Sequence, residues 1–177
     1  MNKLDIRRAV IRTIHDAEAI HAQVLSGAER TVAWLRAFTG SPLELFTALR
    51  FQTVGHDPLI GEALNVTEQL NQTFTILVSL RAVECLIEMH PAANGFRLAL
   101  ATSSGRDIES VDPGLVAAEV FSATHPGSNQ KLKKDIERMV SDPARHRYVF
   151  FAAPNYASGR HAELETVEGI EVHCVQL

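Results

Sequence analysis

The sequence predicts an α+β fold in which helices flank a mixed central sheet of about five strands. Residues 65–89 repeat their apolar side chains at helical spacing, and the period changes to that of extended chain over residues 96–122. An amphipathic helix follows, and two further apolar segments close the chain. Strands joined by short turns pair antiparallel, whereas strands joined across a helix pair in parallel. Both kinds of pairing are therefore expected in one sheet.

The composition indicates a soluble protein with a sizeable core. The chain has 177 residues, of which 46% are hydrophobic, and its formal net charge is −4. This acidic balance argues against a protein that coats nucleic acid through bulk positive charge, and leaves only a local basic groove. The residues available for such a groove are Lys131, Lys133, Lys134, Arg138, Arg145 and Arg147. The charged N-terminus is unlike a signal peptide and no uninterrupted apolar run reaches bilayer length, so we expect a cytoplasmic protein without a membrane partner.

The first 55 residues are expected to form a helical appendage, and residues 56–177 an αβββαβ core. Apolar residues at helical spacing predict one or two helices over residues 4–38, with a break at Gly27 left open. Ser41 and Pro42 suit the N-cap and first position of a shorter helix that ends at Phe51. We expect these N-terminal helices to serve in packing or in a homodimer.

The helix predicted over residues 65–89 carries an unusual polar stripe. Its members follow one another every three or four residues and are nearly uncharged: Asn65, Glu68, Gln72, Thr75 and Ser79. A solvent-facing stripe is normally rich in lysine and glutamate, so this one indicates a half-buried surface that faces a site. The alternative for Glu68 is a capping box with Asn65 at the helix start.

The predicted meander places carboxylates where a sheet normally has apolar residues. The three strands are expected over residues 96–100, 106–111 and 115–122, with Asp107 and Glu109 on one face of the second strand. Glu119 interrupts the apolar run of the third. Burying a carboxylate is costly unless a cation pairs with it, and a divalent metal ion is one such cation. The alternatives are that Asp107 and Glu109 face solvent on an edge strand, and that Lys131 or Arg106 neutralises Glu119.

The C-terminal segments complete the sheet. Ser128 is expected to cap a helix that buries Leu132, Ile136, Met139 and Val140. Residues 148–152 then form a fourth, buried strand, residues 162–167 a short helix, and residues 170–177 a fifth strand. Cys85 and Cys174 lack CxxC spacing, and the histidines, such as His125, His146 and His161, lack HxH or HExxH spacing. We therefore expect no metal site built from these residue types.

Over residues 62–177 the order of elements and the two acidic strands resemble the PD-(D/E)XK nuclease superfamily, which has the restriction-endonuclease-like fold. The resemblance implies that Asp107 on the second strand and Glu119 on the third hold Mg²⁺ or Mn²⁺. It also implies support from Glu68 on the first helix, with Gln72 one turn further along.

Two positions depart from that pattern. Arg106 stands where the motif has proline, and Phe121 stands where it has lysine. Lys131 at the start of the next helix would then supply the missing lysine, with Lys134 as second choice. The resemblance implies hydrolysis of nucleic-acid phosphodiester bonds, with DNA as the favoured partner. The alternatives are an inactive module of the same fold that binds nucleic acid or protein, and an unrelated α+β domain with surface carboxylates.

Overall fold

The computed structural model describes residues 10–99 and 106–177, and within them the chain forms an α+β fold around a mixed sheet, as predicted. In chain order the helices are α1 (Ile14–Ala37), α2 (Pro42–Phe51), α3 (Val66–Met89) and α4 (Lys131–Val140). The main sheet contains the strands β1 (Val10–Ile11), β4 (Phe96–Leu98), β5 (Ile108–Ser110), β6 (Val116–Ser122), β7 (His146–Ala152), β8 (Gly159–Arg160) and β9 (Ile170–Cys174). A separate hairpin is formed by β2 (Gly55–His56) and β3 (Ala63–Leu64).

The pairing in the main sheet is mixed, as expected. The strand order is β1-β4-β5-β6-β7-β9-β8. Strands β4, β5 and β6 form the antiparallel meander, whereas β6 pairs parallel with β7, and β7 parallel with β9. Among the described residues the main sheet thus has seven strands instead of about five, because the two-residue strands β1 and β8 extend it at its edges. The sheet centre is built from β6 and β7, which have seven residues each.

Each face of the sheet has its own hydrophobic cluster. On one face Ile108, Val116, Ala118, Val120 and Phe150 pack with residues of α1 and α3. On the other face Ala117, Phe121, Val149 and Phe151 pack with Ile136 and Met139 of α4. Because side chains alternate along a strand, neighbouring residues of β6 and β7 belong to different clusters. Helices α3 and α4 therefore cover opposite faces.

Helix α1 packs on the same core as the sheet. Thr13 caps it in a reciprocal capping box with Asp16, and Ala17, Ile20 and Val24 are buried in the cluster that contains Phe96. Near its end, Trp34 lies with its ring centroid 5.3 Å from that of Phe38. The predicted division at residue 55 stays a prediction, and residues on both sides of it share one hydrophobic cluster.

Helix α3 begins and ends where the sequence pattern placed it. The Asn65 side chain accepts a hydrogen bond from the backbone N–H of Glu68, and the helix runs for 24 residues. Its length and composition would also suit a membrane-crossing helix, but half of its most apolar window is buried in the protein, as in a core helix.

A buried amide ties α3 to its neighbours. Oε1 of Gln69 accepts hydrogen bonds from the Thr31 hydroxyl at 2.6 Å and from the His56 backbone N–H at 2.9 Å. Since Gln69 is only 3% exposed, these bonds are shielded from water. They hold α1, β2 and α3 together beside the main sheet.

The remaining predicted bounds differ by a few residues. The expected short helix over residues 162–167 is one 3-10 turn, Ala162–Leu164, and the last strand ends at Cys174. Helix α4 follows a 3-10 turn, Ser128–Gln130, and so starts later than predicted. The first predicted helix is wrong at residues 10–11, which form β1 instead, and α1 begins at Ile14. Residues 4–9 of that predicted helix and residue 100 of the first predicted strand lie outside the described part of the chain.

Candidate functional site

Asp107 and Glu119 lie on one face of the sheet, beside each other. Asp107 immediately precedes β5, and its Oδ2 accepts a hydrogen bond of 2.9 Å from the backbone N–H of Val120 on β6. Glu119 is the residue before Val120 and is 1% exposed, so its carboxylate is buried inside the sheet layer. The antiparallel pairing of β5 with β6 thus brings the two predicted carboxylates together.

The helix above these carboxylates is α4. Nη1 of Arg138 donates a hydrogen bond to Glu119 Oε2 at 2.9 Å and also lies 3.3 Å from Asp135 Oδ1. Nζ of Lys131 donates to the same Asp135 oxygen at 2.8 Å. The expectation that the polar stripe of α3 faces this site is wrong, because α3 packs on the opposite face. We refer to Asp107, Glu119, Lys131, Asp135 and Arg138 as the acid cluster.

The acid cluster contains more carboxyl groups than cations, and the pKa values of its groups are shifted. Burial, and then the neighbouring charge of Asp107, raises the pKa of Glu119 to about 7, against the opposing hydrogen bond from Arg138. Burial also raises the pKa of Asp135, and the hydrogen bond from Lys131 works against that rise. The Glu119 carboxylate in turn raises the pKa of Arg138. Three carboxyl groups face two cations, so one negative charge is left over when all are ionised.

One carboxylate oxygen in the cluster has no hydrogen-bond partner among the described residues. Asp135 is fully buried, and while its Oδ1 accepts from two cations, its Oδ2 accepts no hydrogen bond from residues 10–99 or 106–177. Buried oxygens in this state are uncommon, because losing water without a replacement bond costs about 1–3 kcal/mol. Asp135 is a functional candidate that the sequence interpretation missed, since the run KLKKD looks like a solvated helix face. The sequence feature that could have indicated its burial is its position directly before the core residue Ile136.

The oxygen donors of the cluster fit a hard divalent cation in their chemistry. Asp107 and Glu119 are the two ligands that the sequence pattern predicts, and the orphaned oxygen of Asp135 is of the same type. Within residues 10–99 and 106–177, however, no three side chains of histidine, cysteine, aspartate or glutamate are grouped closely enough to hold a metal ion together. In the described conformation Arg138 already neutralises Glu119, so a metal ion would have to compete with it.

Glu68 and Gln72 are not part of this cluster. Both lie on α3, on the far side of the sheet, where Nε2 of Gln72 donates to Glu68 Oε1 at 3.3 Å. The hydroxyls of Thr75 and Ser79, from the same stripe, bond to carbonyls of their own helix four residues earlier. These short polar residues are therefore satisfied locally, which explains why the stripe needs no site in front of it.

The alternative in which Arg106 neutralises Glu119 is wrong. Arg106 pairs with Asp142 at 3.0 Å and leaves Glu119 to Arg138. Glu109 is half-buried beside Arg97 and Ala117 in the sheet register.

The basic side chains near α4 differ in their exposure and in their partners. Lys133 lies 3.9 Å from Glu137, whereas Lys134 is exposed and has no ion pair with any described residue. Arg147 turns inward, and its Nη1 donates to the carbonyls of Met139 and Val140 at the end of α4. Of the predicted groove, then, Lys133 and Lys134 present charge to solvent next to the acid cluster.

None of the protein families, curated proteins or solved structures compared with this chain matches it. The resemblance to the PD-(D/E)XK superfamily therefore stays a prediction, and it rests on the order of elements and on the placement of Asp107 and Glu119.

Proposed function

We propose that this protein is a metal-dependent nuclease that hydrolyses nucleic-acid phosphodiester bonds at the acid cluster. The observation that carries the proposal is the pairing of the buried Glu119 with the half-buried Asp107 from neighbouring strands, where burial, and then the charge of Asp107, raises the pKa of Glu119. Strongly perturbed carboxyl groups of this kind are concentrated at functional sites. A purely structural role would be served better by apolar residues, because buried ion pairs add little stability.

Each side chain of the cluster has a chemical role in this proposal. Asp107 and Glu119 would hold Mg²⁺ or Mn²⁺, which when bound polarises the phosphate and lowers the pKa of a bound water. Burial and the neighbouring charge of Asp107 make an ionised Glu119 costly without a cation, which supports a role in holding a metal ion. Lys131 and Arg138 supply positive charge beside the reacting phosphate, and Lys131 is held in place by Asp135.

DNA remains the favoured substrate. Lys133 and Lys134 extend the positive charge along α4 and can contact phosphates outside the cluster, which suits a local groove in a protein of net charge −4. A cytoplasmic location and a homodimer through the N-terminal helices remain predictions.

The test is cleavage of supercoiled plasmid, single-stranded DNA and RNA with Mg²⁺ or Mn²⁺. We expect Asp107→Asn and Glu119→Gln to lose at least 100-fold in rate. The matched control is Glu18→Gln, which removes an exposed carboxylate of α1 and leaves the rate unchanged. Equal rates in all four proteins, or no metal-dependent cleavage of any substrate, would refute the nuclease.

A second candidate is an inactive module with the same fold that binds nucleic acid or protein. The direct ion pair between Arg138 and Glu119 favours it, because the arginine occupies a carboxylate that a metal ion would need. Calorimetric titration separates the two candidates. Binding of Mn²⁺ that disappears in Asp107→Asn supports the nuclease, whereas binding of DNA without any binding of metal supports the inactive module.

A further inference from the structure

A second concave site lies at the edge of the sheet where the parallel strands end. It is a cavity of about 510 Å³ at the carboxyl ends of β6, β7 and β9. This volume falls in the range of small-molecule pockets, and open sheets with parallel strands commonly bind ligands at this edge. Its walls are formed by Phe74, Ser122, Ala123, Thr124, Ala152, Ala153, Pro154, Val175, Gln176 and Leu177.

The lining of the cavity excludes several classes of ligand. None of these ten side chains is ionisable, so the side chains of the walls offer no positive charge to a phosphate or a carboxylate. A purely aliphatic ligand also fits poorly, because it would cover three polar groups. The hydroxyls of Ser122 and Thr124 and Oε1 of Gln176 make no hydrogen bond with any described residue, and an apolar ligand would strip them of water.

The remaining features favour a flat ligand. Phe74 of α3 contributes an aromatic ring that is 43% exposed, and Ala123, Ala152 and Ala153 leave room through their small side chains. Nε2 of Gln176 donates to the Tyr156 carbonyl at 2.8 Å, which fixes the amide and leaves its oxygen as an acceptor.

From this combination we propose that the cavity binds a neutral, planar, hydrogen-bonding heterocycle of the nucleobase class. The ring stacks on Phe74, and its edge bonds to Ser122, Thr124 or Gln176. The base can belong to a free nucleoside or to a nucleic-acid strand. Binding requires neither a metal ion nor cleavage, so the proposal holds or fails apart from the proposed nuclease.

The experiment is a calorimetric or NMR titration in EDTA. The probes are adenosine, guanosine, cytidine and uridine, ribose 5-phosphate as a ligand without a base, and single-stranded tetranucleotides. The variants are Phe74→Ala, which removes the stacking ring, and Ala153→Leu, which fills the cavity. The matched control is Phe46→Ala on α2, which removes an exposed ring outside the cavity.

We expect at least one nucleoside to bind saturably and ribose 5-phosphate not to bind. Phe74→Ala should weaken binding about 10-fold, in line with the loss of one base-stacking contact, while Phe46→Ala should not change it. A tetranucleotide that binds at least 10-fold tighter than every nucleoside assigns the site to a strand, and equal affinities assign it to a free nucleoside. Absence of nucleoside binding, or equal binding by wild type, Phe74→Ala and Ala153→Leu, overturns the proposal.

Discussion

Arg138 on α4 donates a hydrogen bond of 2.9 Å to the carboxylate of Glu119, which lies in the middle of β6. The arginine side chain is 57% exposed and the glutamate side chain 1%, so the bond links a side chain at the surface to a carboxylate in the interior. It satisfies a carboxylate that the surrounding apolar residues could not. The protonation state of Glu119 therefore affects both the stability of the protein and the proposed metal binding.

Replacing Glu119 by glutamine should change how stability depends on pH. Because the pKa of Glu119 is about 7 in the folded protein and near its ordinary value of 4.5 in the unfolded chain, folding favours the protonated form. The wild type therefore loses stability as the pH rises from about 4.5 to about 7. Glu119→Gln lacks this loss, so its Tm relative to wild type should rise by several degrees between pH 5 and pH 8. The check is calorimetry at both pH values; a constant Tm difference would contradict the pKa shift.

Lys131 and Lys134 should differ in their effect on cleavage. Lys131 is tied to the buried Asp135, whereas Lys134 points to solvent without an ion pair among the described residues. We expect Lys131→Met to lower kcat/KM for plasmid cleavage about 100-fold, the typical scale for losing a positioned polar group. Lys134→Met should weaken DNA binding a few-fold and leave kcat unchanged. Equal effects of the two variants would remove Lys131 from the site.

Gln69 should contribute far more to stability than its neighbour Gln72. Gln69→Leu leaves the Thr31 hydroxyl and the His56 N–H buried without partners, and the expected loss is about 2–4 kcal/mol. Gln72→Leu removes one long bond to Glu68 at the surface and should stay within about 0.5 kcal/mol of wild type. Urea unfolding followed by circular dichroism measures both; similar losses would mean that the buried amide is not a structural tie.

Gly95 should tolerate a side chain less well than Gly114, although both have positive φ angles. At Gly95 an added Cβ would lie 2.7 Å from the carbonyl oxygen of Ile11 on β1, whereas at Gly114 it would meet nothing within 4 Å. Both alanine variants carry the cost of a positive φ, which is larger at +101° for Gly95 than at +74° for Gly114, and only Gly95→Ala adds the contact with β1. We expect Gly95→Ala to be about 1–3 kcal/mol less stable than Gly114→Ala. Equal stabilities by urea unfolding would show that β1 can move away freely.

Local patterns were sufficient to place the main elements. The cap at Asn65 and the helical spacing predicted α3 to within one residue, and the apolar run around Glu119 predicted β6. Strands β1 and β8 escaped prediction because each has two residues and exists only through its partner. Pairing between Ile11 and Phe96 is a tertiary event that no local periodicity records.

The candidate site was predicted in part. Alternation grouped Asp107 with Glu109 on one strand and left Glu119 to the next, and the hairpin between the strands predicted that Asp107 and Glu119 lie close together, as they do. Which helix covers these carboxylates depends on the packing of whole elements, so the assignment to α3 instead of α4 was wrong. The burial of Asp135 was not predicted for a related reason. Whether a charged residue at the border of an amphipathic helix is buried depends on the strands that pack against the helix, and the sequence of the helix alone does not reveal them.

Trp34 is the single tryptophan of the chain, and it lies on α1, away from the sheet. Its indole fluorescence therefore reports on the N-terminal helix, while far-ultraviolet circular dichroism reports on every helix and strand. Coincident denaturation curves from the two probes would indicate that residues 1–55 and the rest of the chain unfold cooperatively as one unit. A fluorescence transition at lower denaturant concentration would indicate that the N-terminal helices unfold first, while the rest of the chain stays folded.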